Sequence, residues 1–275
     1  MTLRRADDSL RVALVTGACS GIGLAIAQIL GALGYTLVLV SLREGPLAAA
    51  AEAIGAAHAV PVYPIVLDLA RPEAAGELFS AVTGLGLDVD VLVNNAGMFF
   101  FGEVADADPV RANALLQLHV VTPSLLCTRF TRGMRERRRG HVLIVSSISA
   151  WRDFPGIGYY GSSKKYLRGF AGALRCELGA YGVNVTCLAP GATATGLYEL
   201  DVAPVALARR LGVMMDAEAV ARAGLEAMFR GDAEHTPGAL SRAMATAARV
   251  TPQGVIDWVR RRGPWLRGDL GPRAR

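Results

Sequence analysis

Lysine is almost absent from this chain of 275 residues: Lys164 and Lys165 are its only lysines, and the other basic residues are arginines. Hydrophobic residues make up 52% of the chain, yet no uninterrupted apolar run reaches the length of about 18 residues that a membrane-spanning helix needs. The charged N-terminus is not followed by an apolar stretch typical of a signal peptide. We therefore expect no membrane span and a cytoplasmic protein.

The chain also lacks paired cysteines, because its four cysteines are scattered without CxxC spacing. This pattern predicts small core residues in a reducing compartment, with no disulfide framework and no metal site. Arginines cluster at 129–139 and in the C-terminal tail, and they contribute to a formal net charge of +5. These clusters are either solvated helix ends or a patch for nucleic acid or anionic membranes. Since no recognition module accompanies them, we expect no nucleic-acid partner.

Short β-branched stretches alternate with Ala/Leu/Glu-rich stretches of helical spacing, such as Gly23–Leu33 and Pro46–Ile54. This alternation predicts the α/β class, with a doubly wound parallel sheet and helices on both faces, in a single domain spanning 1–275. The predicted strands are Val12–Thr16, Leu37–Val40, Pro61–Leu67, Val89–Asn94, His141–Ser146 and Val183–Ala189. After Pro190 the pattern breaks, which predicts a mobile substrate loop at 192–215 and a C-terminal helical segment at 216–275.

The first predicted strand runs into the glycine-rich stretch "TGACSGIG", Thr16–Gly23. Glycines between a strand and a helix let the backbone approach a pyrophosphate at the helix N-terminus. The alternative is a glycine-rich turn without a ligand. "NNAG", Asn94–Gly97, ends the fourth strand, where small residues leave room for a cofactor and the Asn side chains can tie neighbouring loops together. Asp68 and Leu69 end the third strand, where they are expected to lie near an adenine ring. The alternative for Asp68 is a helix N-cap.

These stretches, together with a Ser, "YxxxK" and "PGxxxT" in order, resemble the short-chain dehydrogenase/reductase family from about Val12 to Thr195. The region after Asp216 is similar to ketoacyl-reductase-like members. The resemblance implies a Rossmann-type oxidoreductase with a nicotinamide cofactor. The cofactor-binding residues it implies are Gly17, Ser20, Gly21, Ile22, Gly23, Arg43, Asp68, Leu69, Asn95, Ala96, Gly97, Tyr160, Lys164, Pro190, Gly191, Thr193 and Thr195.

The end of the second strand indicates which nicotinamide cofactor is used. NAD-preferring members carry an acidic residue there, whereas this chain has Ser41, Leu42 and Arg43. An arginine suits the 2′-phosphate of NADP(H), and Ser20 can add a hydroxyl. Glu44, the next residue, keeps NAD open as the alternative.

Tyr160 and Lys164 lie at i and i+4, so they share one face of a helix. A nearby cation lowers the pKa of a tyrosine and makes it a usable general acid or base. We therefore expect Lys164 to be the catalytic lysine, whereas Lys165 points elsewhere on the helix and is expected at the surface. Tyr159 has Ser163 at i+4 and lacks such a partner.

Ser147 lies at the spacing before Tyr160 that matches the family's catalytic serine, which holds the substrate oxygen. His119 stands where the family usually has an asparagine that holds a relay water. Histidine either serves the same relay, with added pH dependence, or displaces the water. The resemblance also makes Thr195 the candidate for binding the nicotinamide carboxamide.

The aromatic residues near these motifs predict a hydrophobic or aromatic substrate, with core or interface packing as the alternative. They comprise those of Met98–Val104 together with Trp151, Phe154 and Tyr198. The resulting hypothesis is an NADP(H)-dependent ketoreductase or alcohol dehydrogenase acting on a small molecule. The alternatives are non-redox or cryptic-redox chemistry on the same scaffold, and a catalytically impaired NADP(H)-binding sensor. The resemblance also implies a homodimer or homotetramer.

Overall fold

The computed structural model describes residues 11–195 and 214–262. Seven parallel strands form one sheet in the order β3-β2-β1-β4-β5-β6-β9. Two further strands, β7 and β8, pair with each other outside this sheet. The strands are β1 Val12–Thr16, β2 Thr36–Ser41, β3 Val62–Val66, β4 Val89–Asn94, β5 Gly140–Val145, β6 Val183–Leu188, β7 Thr193–Ala194, β8 Met215–Asp216 and β9 Glu234–His235.

Helices connect the strands and continue after them. They are α1 Gly21–Ala32, α2 Glu44–His58, α3 Ala74–Gly84, α4 Pro109–Leu116, α5 Thr122–Glu136, α6 Gly158–Leu178, α7 Ala217–Arg230, α8 Ala239–Val250 and α9 Gln253–Arg262. A π-helical turn at Gln117–Val121 joins α4 to α5. Short 3₁₀ turns occupy Val104–Asp106, Ile148–Trp151 and Gly179–Tyr181.

Alternating strand residues divide the core into two halves, one on each face of the sheet. In β1, Val12 and Leu14 pack with α3, α5 and α6, whereas Ala13 and Val15 pack with α1, α2 and α7. Since both faces are covered, the central strands are buried along their whole length and read as continuous apolar runs. This architecture confirms the predicted doubly wound α/β fold.

The six predicted strands agree with observed ones, with their ends shifted by at most one residue. Pro64 lies inside β3, and the edge position of this strand in the sheet accommodates the missing N–H. The prediction of cysteines as core residues is correct for Cys127 and Cys187, which are buried. It is wrong for Cys176, which is exposed because it lies on the outer side of α6.

The described part of the segment expected to be helical at 216–275 contains α7, α8 and α9, and it also contains β9, which extends the sheet beside β6. Cys187 N donates to Ala233 O at 3.0 Å, and Ala189 N donates to His235 O at 2.8 Å. A strand of two residues has no period to detect, so only the pairing with β6 reveals it. Residues 263–275 lie outside the described part of the chain.

Most of the loop expected at 192–215 also lies outside the described residues, at 196–213. Its two ends are described, and they are joined by the β7–β8 pair, in which Met215 N donates to Ala192 O at 2.9 Å. The segment therefore leaves and re-enters the fold at one place, next to the end of β6. Its mobility stays a prediction.

The parallel strands all end at the same edge of the sheet, and the strand order reverses between β1 and β4. Such a switch point opens a crevice at the carboxyl ends of the strands, where ligands bind in this type of fold. The motifs that follow β1, β2, β4, β5 and β6 therefore meet at this edge.

Candidate active site

The glycine turn after β1 is packed against the end of β4. Gly17 and Gly21 adopt φ angles of +67° and +55°, which side chains disfavour. A Cβ atom on Gly17 would lie 2.9 Å from Ala96 Cα, and one on Gly23 would overlap the carbonyl of Gly17. The turn therefore needs glycine, and it leaves backbone accessible at the N-terminus of α1, as a pyrophosphate group requires.

Hydrogen bonds hold this turn to the NNAG stretch. The Thr16 hydroxyl accepts from Asn95 N at 3.0 Å and from Ala96 N at 3.1 Å, while Asn95 Nδ2 donates to Thr16 O at 2.9 Å. The expectation that an Asn side chain ties the two loops together is thus met by Asn95. Asn94 instead donates to Cys127 Sγ at 3.2 Å, which anchors the strand end to α5.

Around this turn, further predicted cofactor residues lie close by. Ile22, in the first turn of α1, is partly buried and packs against the core half that contains α1, α2 and α7. Gly97 is exposed and adjoins His119, because a Cβ atom there would lie 3.0 Å from His119 Nε2. Thr195 lies over the turn, since its Cγ2 would be 2.8 Å from a Cβ atom on Gly21.

The end of β2 forms a polar corner beside the glycine turn. Arg43 Nη2 donates to Ser20 Oγ at 2.9 Å and to Cys19 Sγ at 3.2 Å, and Ser41 Oγ donates to Cys19 Sγ at 2.9 Å. Burial acts to raise the pKa of the Cys19 thiol, but the bonds from Ser41, Arg43 and Ser20 outweigh it and lower the pKa. These contacts hold a guanidinium and two hydroxyls together, a donor set that suits a phosphate.

Cys19 was missed as a member of this corner, because nothing in the sequence indicates that it contacts Ser41. Glu44, which kept the NAD alternative open, is exposed and begins α2. Its carboxylate therefore lies in the first helical turn, where a negative charge is favourable for the helix itself.

Asp68 and Leu69, at the end of β3, have local structural contacts. Asp68 Oδ1 accepts from Ala70 N at 2.9 Å, which closes a turn several residues before α3 begins. Leu69 is buried, and its carbonyl accepts from Thr122 Oγ1 at 2.8 Å. Asp68 therefore closes a turn and does not cap α3, and its contact with an adenine ring stays a prediction.

Helix α6 carries Tyr160 and Lys164 one turn apart, and both are buried. Lys164 Nζ donates to Val145 O at 3.0 Å and lies 5.7 Å from the centre of the Tyr160 ring. Burial lowers the pKa of Lys164 to about 8. Lys165 is exposed and pairs with Asp153 at 3.0 Å, in agreement with its expected place at the surface.

The serines after β5 have separate tasks. Ser147 Oγ accepts from Ser149 N at 3.1 Å, so its own proton is available for a further acceptor. Ser146 Oγ donates to Lys164 O at 2.7 Å and thereby fixes β5 to α6. These bonds engage the proton of Ser146 and leave that of Ser147 available, while Ser149 Oγ is buried without a partner, so the choice of Ser147 for the substrate oxygen stays a prediction.

His119 lies in the π-helical turn, buried between the NNAG stretch and α6. Its Nε2 accepts from Met98 N at 3.0 Å, so the ring proton must be on Nδ1, which is 2.9 Å from Ser163 Oγ. Ser163 in turn donates to Tyr160 O at 2.8 Å. Burial, assisted by the charge of Lys164, holds the pKa of His119 well below its usual range.

This chain of bonds bears on the relay predicted for His119. Both ring nitrogens are engaged by protein groups, and the neutral ring does not gain charge near neutral pH. The arrangement favours the second alternative, in which the imidazole displaces the relay water and supports the Tyr160 backbone. Ser163, the intermediary, was missed because its only sequence signal is its position one turn after Tyr159.

The turn after β6 completes the edge of the crevice. Pro190 is buried, and its carbonyl accepts from Ile148 N at 3.0 Å, which joins this turn to the segment after Ser147. Gly191 packs so closely on Ser241 that a Cβ atom would overlap the serine hydroxyl. Thr193 is buried and donates to Gly191 O at 3.1 Å, so its hydroxyl is used within the turn.

The aromatic residues expected at the cleft fall into different surroundings. Phe99 meets Tyr160 edge-on with ring centres 5.0 Å apart, and Phe100 lies 6.1 Å from Tyr159. Phe154 is exposed. Trp151 is instead stacked against arginines 168 and 249, because its loop turns toward α8. Tyr198 lies outside the described residues.

Within residues 11–195 and 214–262, His, Cys, Asp and Glu side chains form no group that could hold a metal ion. In the same ranges, no helix is both long and apolar enough to cross a bilayer.

Comparison with known proteins places this arrangement in context. The family model described as short chain dehydrogenase matches residues 11–203. An uncharacterized oxidoreductase of Myxococcus xanthus is 31% identical over 94% of this chain and 99% of its own length. A solved 7beta-hydroxysteroid dehydrogenase is 25% identical with a TM-score of 0.83, covering 90% of this chain and 96% of its own. A metagenomic short-chain oxidoreductase in complex with NADP is 28% identical with a TM-score of 0.69, covering 83% and 97%.

Replacing Lys164 with Met should change how stability depends on pH. Because the pKa of Lys164 is about 8 in the fold and higher in the unfolded chain, the unfolded chain binds the extra proton between these values. In the wild type, this group therefore makes the free energy of unfolding rise with pH from about 8 to 10.5, by about 3 kcal/mol. Urea denaturation of wild type and Lys164→Met across this range measures the difference.

The measured quantity must be the difference in the free energy of unfolding between the two proteins. Burial raises the pKa of Cys127 and Cys187 to about 12, and in both proteins these two thiols make the free energy of unfolding fall as pH rises. Lys165→Met, on the exposed side of the same helix, is the matched control and should follow the wild type. Identical pH profiles for Lys164→Met and wild type would contradict the burial of a charged amine.

His119 should remain neutral, with its proton on Nδ1, from pH 8 to 5.5. Its Nε2 accepts a backbone hydrogen bond in a buried site, and protonation would place a second donor there. Nitrogen NMR of histidine-labelled protein measures the tautomer, with the His119→Asn variant assigning the signal and exposed His58 as the reference. Protonation of His119 within this range would contradict this prediction and support the alternative in which His119 serves a pH-dependent relay.

Proposed function

This chain belongs to the short-chain dehydrogenase family and is an oxidoreductase of that family, and we propose that it uses NADP(H) to reduce the carbonyl of a hydrophobic small molecule or to oxidise the matching secondary alcohol. The observation that carries the proposal is the buried pair of Tyr160 and Lys164, one helical turn apart, beside a serine whose proton is available.

The residues have complementary tasks in this reaction. Bound NADPH supplies the hydride. Ser147 donates a hydrogen bond to the carbonyl oxygen and favours the negative charge that develops there. Tyr160 transfers its phenolic proton to that oxygen, which yields the alcohol, and the reverse transfer serves oxidation. The Lys164 cation, near the Tyr160 ring, favours the phenolate that remains.

The residues present fit a dinucleotide with a 2′-phosphate. The glycine turn has no side chains of its own to block a pyrophosphate, and Arg43, at the end of β2, with Ser20 in the glycine turn supplies donors for the phosphate. The solved relative at 28% identity was obtained in complex with NADP, which supports the same choice here. Lys164 is a suitable donor to the nicotinamide ribose, and Thr195, which lies over the glycine turn, to the carboxamide.

We place the substrate in the class of bulky hydrophobic ketones and alcohols. Phe99 packs edge-on against Tyr160, so the surroundings of the reacting hydroxyl are apolar. Phe101 and Phe154 expose apolar surface on the two loops that flank the start of α6. The structural relative that acts on a hydroxysteroid is consistent with a substrate of this size and polarity.

Assembly and location are proposals as well. The family pairs subunits through the helices that correspond to α5 and α6, and here Val121, Leu125 and Tyr166 expose apolar surface on or beside these helices. A homodimer or homotetramer in the cytoplasm would cover this surface.

Tyr160→Phe should lower kcat by about 10²- to 10⁴-fold, because it removes the proton donor and keeps the ring packing against Phe99. NADPH oxidation with a panel of bulky ketones, including a ketosteroid, measures the effect, and Tyr159→Phe is the matched control. NADPH binding, followed by its fluorescence, should be retained. Full turnover by the folded Tyr160→Phe variant would overturn the role of Tyr160.

The same assay separates the alternative functions. Product formation without net NADPH consumption would support non-redox or cryptic-redox chemistry. NADPH binding without turnover of any ketone or alcohol, by both wild type and His119→Asn, would support a sensor.

Arg43→Ala should weaken NADPH binding by about 10- to 100-fold and leave NADH binding nearly unchanged, since hydrogen bonds to a charged group contribute about 1.5–3 kcal/mol. Parallel fluorescence titrations with both cofactors measure the ratio. Arg71→Ala removes an arginine that pairs with Glu77 at the surface and serves as control. A wild-type preference for NADH would contradict the choice of NADP(H).

A further inference from the structure

Two guanidinium groups enclose the indole of Trp151. The central carbon of Arg168 lies 3.5 Å from the ring centre, and that of Arg249 lies 3.6 Å from it. Both distances are about the separation of two carbon atoms in van der Waals contact, as expected for a group stacked on the ring. Two groups this close to the same ring centre cannot share one face, so they stack on opposite faces.

One carboxylate joins the two cations. Glu234 Oε2 accepts from Arg168 Nε at 2.8 Å, and Glu234 Oε1 accepts from Arg249 Nη2 at 3.0 Å. Without this shared acceptor, two positive charges would face each other across a thin ring. Glu234 therefore neutralises the repulsion and fixes the spacing of the two arginines, which gives a closed group of four side chains.

The four side chains come from four different elements. Arg168 lies on α6, two turns after Tyr160, while Arg249 is in the last turn of α8 and Glu234 is in β9. Trp151 ends the 3₁₀ turn that begins directly after Ser147. The group thus joins the helix of the tyrosine, the loop of the serine and the C-terminal segment.

Arg152, the next residue, reinforces the attachment to α8. Its Nε donates to Ala248 O at 2.9 Å, and its Nη2 donates to Arg249 O at 2.8 Å. These are carbonyls at the C-terminal end of α8, where the helix has unpaired acceptors and a partial negative charge. The loop after Ser147 is therefore held to α8 by stacking and by hydrogen bonds.

The 3₁₀ turn is short enough to transmit the position of Trp151 to Ser147. Ala150 N donates to Ser147 O at 3.0 Å, and Ser149 N donates to Ser147 Oγ at 3.1 Å. The second bond orients the hydroxyl itself. A shift of Trp151 would therefore rotate the turn and move the Ser147 donor relative to Tyr160.

We propose that Trp151, Arg168, Arg249 and Glu234 form a clamp that positions Ser147 against Tyr160 and makes the C-terminal segment a working part of the active site. The four are positioning residues, and their role rests on the proposed function. Planarity is essential to the clamp, because a lysine ammonium can pair with Glu234 but cannot stack flat on an indole.

The first arm of the test is kinetic. Arg249→Ala and Glu234→Gln should lower kcat for a bulky ketone probe by about tenfold or more, because a small misplacement of an orienting group has a large effect on rate. The KM for NADPH should stay within about twofold, since the polar corner proposed to bind the 2′-phosphate of NADPH lies at the end of β2. Arg249→Lys should remain impaired, and Arg222→Ala, which breaks only an exposed pair with Glu218, should match the wild type.

The second arm does not depend on turnover. With Trp258 and Trp265 replaced by Phe, Trp151 is the only tryptophan, and Arg249→Ala should make its fluorescence more accessible to acrylamide. Hydrogen exchange of the 147–151 peptide should become faster in the same variant, because the two turn bonds loosen.

The two arms separate the proposed function from the proposed clamp. If the wild type reduces no ketone while the clamp variants alter fluorescence and exchange, the proposed function fails and the geometry of the clamp stands. If fluorescence and exchange do not change, the clamp itself is overturned. If they change but kcat does not, the group is only structural and the positioning role is overturned.

Discussion

Lys164 must keep a charged amine inside an apolar core, and much of the site follows from this constraint. Burial lowers its pKa to about 8, so the charge is retained near neutral pH only at a cost in stability. The carbonyl of Val145 and the neighbouring Tyr160 ring are the partners that the fold provides. A protein that holds an amine in this way is less stable than one with an apolar side chain there, which is typical of a site shaped for chemistry.

Helix α6 connects this amine to β5, to His119 and to Trp151. Ser146 binds the Lys164 carbonyl, Ser163 joins His119 to the Tyr160 carbonyl, and Arg168 stacks on Trp151. Tyr160, Ser163, Lys164 and Arg168 fall at i, i+3, i+4 and i+8, so one side of the helix meets β5, the π-helical turn and the turn after Ser147 together. A rotation or shift of α6 would disturb all three contacts at once, and the proposed clamp uses this shared dependence to hold Ser147 near Tyr160.

Motifs at strand ends could be predicted from the sequence because the parallel sheet itself brings them to one edge. The glycine turn, Asn95 and Arg43 therefore lie together as expected. The remaining features depend on contacts between distant segments. The tautomer of His119 is set by Met98 N, the place of Trp151 by Arg249, and β9 by its pairing with β6. Periodicity and spacing carry no information about such contacts, so these features were missed or left open.

The near absence of lysine has a physical counterpart in the structure. Arginine serves where a flat cation is needed: Arg168 and Arg249 stack on Trp151, and Arg111 lies over Phe100. A planar guanidinium would not easily replace the buried ammonium beside Tyr160, because that compact group has three donors and can bond a backbone carbonyl and still reach a ligand. Lys165 has no such requirement, because its exposed pair with Asp153 could equally be made by an arginine. Of the two adjacent lysines, only Lys164 is therefore required by the proposed chemistry.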